Sequence, residues 1–146
     1  KDIVIFSSSV ADNPQVYAGP VEVQLFVKSE GIGTDFTAKL CKIDTAGNIW
    51  NLCDGIQRII DNKLLIKEPR LIKISLGNIA FEIKKGESLS LHISSSNFPK
   101  YNRNPNTGID PMDAKVFTPA KQQVFHSKKY PSKLILNQLL SSHEDL

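Results

Sequence analysis

Strict alternation of apolar and polar residues in several short runs is the feature that most constrains the fold of this chain. The segment 21–27 reads V-E-V-Q-L-F-V, which places Val21, Val23, Leu25 and Val27 on one side of an extended backbone. The segments 71–76 and 88–93 show the same period of two. Successive side chains of a β-strand point to opposite faces, so these runs predict strands with one buried face.

Further short apolar runs extend this pattern along the chain. The predicted strands are 2–6, 21–27, 36–43, 49–52, 71–76, 80–83, 88–93, 122–127 and 134–139. Turn-forming segments at 45–48, 84–87 and 128–131 separate several of them. Many short strands with turn chemistry between them predict an all-β sandwich or barrel. With 146 residues, the chain is long enough for a single domain, residues 1–146, whose core needs no disulfide.

The middle of the chain, residues 56–65, is ambiguous. Ile56, Ile59, Ile60 and Leu64 fit one face of a helix that Asp54 would cap. The run 56–60 also fits a strand that ends in a turn at 61–62. Periodicity alone does not separate the helix from the strand in so short a run.

The stretch 94–108, S-S-S-N-F-P-K-Y-N-R-N-P-N-T-G, follows a predicted strand and suits neither helix nor regular ladder. It begins a long connection, 98–116, and loops of that size in compact domains are usually functional or disordered. Phe98 and Tyr101 are aromatic anchors, so we expect an ordered loop. Arg103 stands among asparagines, ready to bind a carboxylate or backbone carbonyls, with Asp110 and Asp113 as internal candidates.

The segment 84–93 predicts a tight hairpin, with a turn at Lys84–Glu87 and with Leu89, Leu91 and Ile93 facing inward. His92 then falls on the solvent side. Gly86-Glu87-Ser88-Leu89-Ser90 approaches the G-x-S-x-G motif of hydrolase nucleophiles, but it lacks the last glycine and the strand–turn–helix setting. We expect no catalytic residue in this chain.

Metal, thiol and cofactor chemistry also find little support. Cys41 and Cys53 lie in apolar segments, which predicts reduced, buried thiols. The three histidines, at positions 92, 126 and 143, are dispersed without ligand spacing. Asp110 and Asp113 flank Pro111-Met112, and solvated loop carboxylates explain them better than a calcium site. No metal or cofactor is expected.

Charge and hydropathy exclude two classes of partner. Lys and Arg total 18 against 15 Asp and Glu, and the basic residues are scattered rather than clustered, so nucleic-acid binding is not expected. No apolar run reaches the length of a membrane span and no signal peptide opens the chain. The absence of a disulfide framework favours the cytoplasm, although the chain starts at Lys1 and the compartment of a longer protein stays open.

Aromatic residues offer one alternative function. Trp50 and Tyr101 could present stacking faces to a sugar, as in carbohydrate-binding jelly rolls. Trp50 lies in a strand-like segment, however, and packing inside the sandwich explains it without a ligand.

Several separated motifs resemble one protein family. The string S-S-N-F-P-K-Y-N-R-N-P-N-T-G is similar to a signature near the end of the cocaine-esterase and X-Pro dipeptidyl-peptidase family of serine hydrolases. The segments 19–23, 34–40, 52–58 and 130–134 resemble the same part of that family, in the same order. The resemblance covers nearly the whole chain and only the C-terminal domain of the family.

The resemblance implies a jelly-roll β-sandwich of two antiparallel sheets, similar to galactose-binding domains, and favours extended structure at 56–60. It implies a C-terminal domain that lacks the catalytic residues and packs on the α/β-hydrolase domain of a parent hydrolase of ester or peptide bonds. Homo-oligomers through that parent are compatible with it. The residues expected to order the loop or to contact the other domain are Asn97, Phe98, Tyr101, Arg103 and Asn104. The rival hypothesis is a free-standing sandwich that binds carbohydrate or another ligand.

Overall fold

A computed structural model describes residues 2–60 and 68–140. Within these ranges all regular secondary structure is β-strand. The strands are β1 (Ile3–Ser7), β2 (Gln15–Ser29), β3 (Thr34–Ile43), β4 (Ile49–Ile59), β5 (Arg70–Ile83), β6 (Ser88–Ser94), β7 (Gln122–Phe125), β8 (Lys133–Ile135) and β9 (Gln138–Leu139). None of the described segments is a helix of the length and hydropathy that a membrane crossing requires.

The strands form two antiparallel sheets. The first sheet has the order β1-β6-β3-β4. In the second sheet β2 is central, with β5 on one edge and with β7, β8 and β9 in succession along the other. The prediction of an all-β sandwich with two antiparallel sheets is confirmed.

The core lies between the sheets and follows the alternation in the sequence. Val21, Val23, Leu25 and Val27 of β2 are buried, as predicted. They pack with apolar residues of β3, β5 and β6, namely Phe36, Ala38, Leu40, Ile72, Ile74, Leu76, Leu91 and Ile93. Burial of such side chains contributes on the order of 1.5–3 kcal/mol each, which makes this cluster the main stabilising element.

Small residues let the two sheets approach each other closely at β4. Gly55 is paired with Ala38 across the sheet. A Cβ atom on Gly55 would lie 2.2 Å from the carbonyl oxygen of Ser75 in β5. A side chain at this position would therefore push the sheets apart, because the contacting atom belongs to the backbone and cannot rotate away.

The predicted hairpin at 84–93 is wrong in its pairing. Its turn does reverse the chain, but β5 pairs with β2 in one sheet while β6 pairs with β1 and β3 in the other. The segment 84–87 is thus a crossing between sheets. Glu87 stabilises this crossing segment, because its carboxylate accepts a hydrogen bond from the Lys84 backbone N–H and forms an ion pair with Lys42 at 3.4 Å. The predicted facing is confirmed for Leu91 and Ile93, which are buried, and Leu89 is half-buried against the core.

Other differences concern strand limits. The segments 71–76 and 80–83 form one strand, β5, which continues past Gly77, where φ is 86°. The last two predicted strands do not form a ladder with each other but follow one another along β2, with a single bridge between His126 and Pro131. Residues 56–59 are extended within β4, as the resemblance implied, while 61–65 and His143 lie outside the described residues.

Candidate functional site

The long connection between β6 and β7 is fastened to the first sheet by a buried aspartate. Asp35, at the start of β3, is only 1% exposed. Its carboxylate accepts hydrogen bonds from Arg58 Nε at 3.0 Å and Arg58 Nη2 at 2.7 Å, and from Asn104 Nδ2 at 2.8 Å. Antiparallel pairing of β3 and β4 places Arg58 directly opposite Asp35. The charge of Asp35 is therefore compensated from its own sheet and capped by the loop.

Arg58 extends this network into the loop backbone. Its Nη2 also donates to the carbonyl oxygen of Asn102 at 2.6 Å. The hydrogen bond to Asp35 raises the pKa of Arg58, against the opposing effect of burial, with a smaller contribution from the charge of Asp110. A bidentate arginine–carboxylate pair fixes both position and orientation. Residues 102–104 are consequently held against the sheet from two sides.

A second attachment lies further along β4, at Asp54. Its carboxylate accepts a hydrogen bond from Lys100 and lies 3.4 Å from the Tyr101 hydroxyl. Burial opposes ionisation of Asp54, but hydrogen bonds from Lys100 and Asn51 outweigh it and lower its pKa. The first half of the loop is thus tied down at two acidic residues of the same sheet.

The second half of the loop is closed by contacts within itself. Pro105 is fully buried, and its carbonyl oxygen accepts a hydrogen bond from the Thr118 backbone at 2.9 Å. The Asn106 amide donates to the carbonyl of Thr118 at 2.8 Å. Asn106 has a φ of 60°, a left-handed conformation that asparagine tolerates better than most residues. The two arms of the loop therefore meet across Asn106 and Thr118.

The five predicted loop residues have different surroundings. Asn97 accepts a backbone hydrogen bond from Tyr101 at 3.2 Å, which closes a turn. Tyr101 is half-buried beside Asp54, and Asn104 contacts Asp35. Phe98 is 64% exposed and Arg103 is exposed as well. The structure thus places Tyr101 and Asn104 against the sheet, uses Asn97 in a turn within the loop, and leaves Phe98 and Arg103 on the outer side of the loop.

Two residues that the loop depends on were missed from the sequence, Asp35 and Arg58. Both lie in segments that carry the family resemblance. Phe36, Ala38 and Leu40 face the core, so Asp35 lies on the opposite, polar face of β3, where a carboxylate usually meets solvent. No local pattern marks Asp35 as buried, because its burial depends on the loop that contacts it and its ionic partner on the pairing register of β3 and β4.

The outer side of the loop carries large exposed side chains, which we call the loop face: Phe98, Arg103, Met112, Val116 and Phe117. Met112 is 79% exposed and Val116 is 70% exposed. The guanidinium carbon of Arg103 lies 4.9 Å from the ring centre of Phe117 and 5.9 Å from that of Phe98. Asp110 and Asp113 do not reach Arg103. Asp110 instead accepts a backbone hydrogen bond from Met112 at 2.8 Å.

Outside the loop, the polar side chains of residues 2–60 and 68–140 do not form an accessible nucleophile site. His92 Nε2 lies 2.8 Å from Ser90 Oγ, but Ser90 is 1% exposed and no substrate can reach it. His92 is half-buried rather than a surface residue, and burial lowers its pKa, as does the charge of Lys39. Within the described residues no group of His, Cys, Asp and Glu is arranged to hold a metal ion.

Both cysteines are free thiols, as predicted. Cys41 is buried, as predicted, but Cys53 is only half-buried, which differs from the prediction. Burial raises the pKa of Cys41, and burial together with the charge of Asp54 raises the pKa of Cys53 to about 11. Thiolate is the reactive form of cysteine, so both side chains are poor nucleophiles at neutral pH.

Trp50 is 57% exposed and does not pack inside the sandwich. Its indole nitrogen donates to Asp44 Oδ2 at 2.9 Å across the β3–β4 turn. Trp50 pairs with Lys42, whereas Asp54, the neighbour of Tyr101, pairs with Lys39. Lys39 and Lys42 point to opposite faces of the sheet, so Trp50 and Tyr101 do not form one stacking platform.

Comparison with known proteins agrees with this architecture. Residues 1–135 match the family described as the X-Pro dipeptidyl-peptidase C-terminal non-catalytic domain. Cocaine esterase from Rhodococcus sp. (strain MB1 Bresler) is 33% identical over a 144-residue alignment that covers 92% of this chain and 25% of that protein.

Solved structures share the fold. An aminopeptidase from a marine sediment Thaumarchaeota archaeon has a TM-score of 0.86 at 22% identity, over 95% of this chain and 26% of its own. An α-amino acid ester hydrolase has a TM-score of 0.86 at 23% identity, over 94% and 26%. A CocE/NonD family hydrolase from Staphylococcus aureus has a TM-score of 0.75 at 18% identity, over 94% and 30%.

This chain therefore spans about a quarter of the length of the curated relative that it matches. Nearly all of its residues fall within one family match, which includes the buried core, the anchored loop and every strand of the two sheets except β9. The chain belongs to the family of X-Pro dipeptidyl-peptidase C-terminal non-catalytic domains.

Proposed function

We propose that this domain acts as a non-catalytic structural module that packs on the α/β-hydrolase domain of the same parent chain. The parent hydrolyses ester or peptide bonds, and the catalytic serine, aspartate and histidine belong to the hydrolase domain. The observation that carries the proposal is the loop face, where a loop anchored through buried charges holds large apolar side chains in water. An anchored loop with exposed apolar groups is typical of an interaction surface.

The energetics of the loop support docking rather than internal packing. The polar residues Asp35, Arg58 and Asn104 fix the inner side of the loop, so Phe98, Met112 and Val116 are not needed to attach it. Their exposure leaves apolar area in water that a partner surface would bury at about 25 cal/mol per Å². Aromatic residues, methionine and arginine are also the residue types enriched at interfaces.

The double variant Phe98→Ala, Met112→Ala in the full-length parent tests this proposal. We expect the sandwich to dissociate from the hydrolase domain, seen as faster proteolysis between the domains and as a separate calorimetric transition for each. Val10→Ala, at another exposed apolar position, is the matched control and should leave both unchanged. Equal behaviour of the double variant and the control would contradict docking through the loop face.

The non-catalytic part of the proposal has its own test. The isolated chain 1–146 should not hydrolyse nitrophenyl esters or X-Pro nitroanilides above background, because no accessible nucleophile is assembled in the described residues. Labelling of any of its serines by a fluorophosphonate probe would overturn this expectation.

A second candidate function is carbohydrate binding at Trp50. The observation that favours it is an exposed indole ring held in one orientation by Asp44. Such a ring can stack on the apolar face of a pyranose. Titration with galactose, maltose and cellobiose should then change the fluorescence of Trp50, the single tryptophan. Unchanged emission with all three sugars would eliminate this candidate.

A further inference from the structure

We propose that Arg103 binds the carboxylate of an aspartate or glutamate on the hydrolase domain. The inference rests on the proposed function and adds the chemistry of the contact. It starts from the position of the guanidinium, which lies within 4.9 Å of the Phe117 ring centre and 5.9 Å of the Phe98 ring centre. Aromatic rings contact the π-face of a guanidinium and leave its in-plane N–H donors available.

Among the described residues, Arg103 forms these ring contacts and neither a hydrogen bond nor an ion pair. It lines an open depression of about 340 Å³ together with Ser95, Ser96 and Phe117. Polar neighbours are already engaged: Ser96 Oγ accepts from the Phe98 backbone, Asn104 donates to Asp35, and Asn106 donates to Thr118. The guanidinium is thus the unsatisfied donor group of this depression.

No nearby acid of the described residues pairs with Arg103: Asp113 forms no ion pair with it, and Asp35 and Asp110 have other partners. Asp35 is saturated by Arg58 and Asn104. Asp110 accepts a hydrogen bond within its own turn and acts electrostatically on Arg58. A partner for Arg103 must therefore come from another surface. A planar fork held on aromatic rings is suited to bidentate binding of a carboxylate.

The surroundings of Arg103 favour a carboxylate on a protein surface, rather than a small free anion, as its binding partner. Phe98 and Phe117, whose rings contact the guanidinium, have 64% and 47% of their surface exposed. A docked protein surface would bury these apolar groups and exclude water from the ion pair, which strengthens it. An isolated anion would leave the apolar groups in water. The domain's net charge of +3 also favours an acidic partner surface.

The decisive experiment uses Arg103→Lys in the full-length parent with a carbodiimide, which joins an amine to a carboxylate in direct contact. We expect one new cross-link, identified by mass spectrometry, between position 103 and an Asp or Glu of the hydrolase domain. The wild type and Arg103→Gln lack an amine at this position and serve as controls. A cross-link from position 103 only to Asp110 or Asp113, or none at all, would overturn the inference.

A second measurement separates this inference from the proposed function. Arg103→Glu should accelerate proteolysis between the domains more than Arg103→Gln does, because it replaces attraction by repulsion. If Phe98→Ala, Met112→Ala separates the domains while Arg103→Glu and Arg103→Gln behave as wild type, docking stands and the carboxylate contact is wrong. If none of these variants separates the domains, the proposed function itself fails.

Discussion

Two aspartates at opposite ends of β3 show how similar chemistry can have different structural consequences. Asp35 is buried and is bound by residues that are 23 and 69 positions away in sequence. Asp44 lies at the partly exposed β3–β4 turn and accepts hydrogen bonds from Ala46, Asn48 and Trp50, all within six positions. Asp35 joins β3, β4 and the loop, whereas Asp44 organises one turn. Substitutions in the Asp35 network should therefore lower the free energy of unfolding more than a substitution of Asp44.

The largest effect is expected for Arg58→Ala. It leaves the Asp35 carboxylate buried without its cationic partner, and breaking a buried pair in this way costs about 3–5 kcal/mol. Denaturant unfolding of the isolated chain measures the change. Arg70→Ala, at an exposed arginine on β5, is the matched control and should lie within about 0.5 kcal/mol of wild type.

A double variant sharpens this test. Asp35→Ala together with Arg58→Ala removes both charges, so it should be less destabilised than Arg58→Ala alone. A free energy of unfolding for Arg58→Ala within 1 kcal/mol of wild type would mean that Asp35 is not a buried, charged anchor. The contrast between the two aspartates would then disappear.

An intermediate effect is expected for Asn104→Ala. The substitution removes the amide donor to Asp35 and the oxygen that accepts from the Asn106 backbone at 2.8 Å. Loss of partly buried hydrogen bonds costs about 1–3 kcal/mol. Limited proteolysis should cut within 102–108 faster than in wild type. Asn102→Ala is the control, because the hydrogen bond of the Asn102 side chain within the described residues goes to the Met112 sulfur and not to the sheet. Equal cleavage of both variants would contradict the anchoring role of Asn104.

The same contrast explains what the sequence could predict. The turn at 45–48 was correctly predicted because its determinants are local, and period-two alternation correctly identified the buried face of β2. The Asp35–Arg58–Asn104 network was not predicted, because it depends on strand register and on where the loop returns. The wrong hairpin prediction at Lys84–Glu87 has the same origin. Turn-forming residues indicate that the chain reverses, but they do not indicate which strand the next segment pairs with.

Substitution of Asp44, the partly exposed aspartate, is expected to have a smaller effect on stability, and Trp50 fluorescence can detect it. Asp44→Ala removes the acceptor of the Trp50 indole and should shift tryptophan emission to longer wavelength, because the turn loosens and the ring becomes more hydrated. The melting temperature should change far less than in Arg58→Ala, since the lost contacts all lie within one turn. A destabilisation equal to that of Arg58→Ala would show that sequence-local and long-range aspartates do not differ in this protein.

The smallest expected effect concerns pH. Hydrogen bonds from the Trp50 indole and from Asn48 lower the pKa of Asp44 from 3.8 to about 2. A carboxyl group whose pKa is depressed by folding contributes stability above its unfolded pKa, and that contribution is lost as pH falls through the folded value. Asp44 should therefore stay ionised and keep its contact with Trp50 while ordinary carboxyl groups titrate.

Trp50 reports this directly, because it is the single tryptophan of the chain. Its emission should stay constant as pH falls through 3.8 and should change only toward about 2, provided that circular dichroism shows the strands intact. Asp44→Ala should lack the transition near 2. An emission change centred near pH 3.8 with unchanged circular dichroism would mean that the hydrogen bonds of the turn do not stabilise ionised Asp44. The role given to Asp44 would then be wrong, while the Asp35 network would be unaffected.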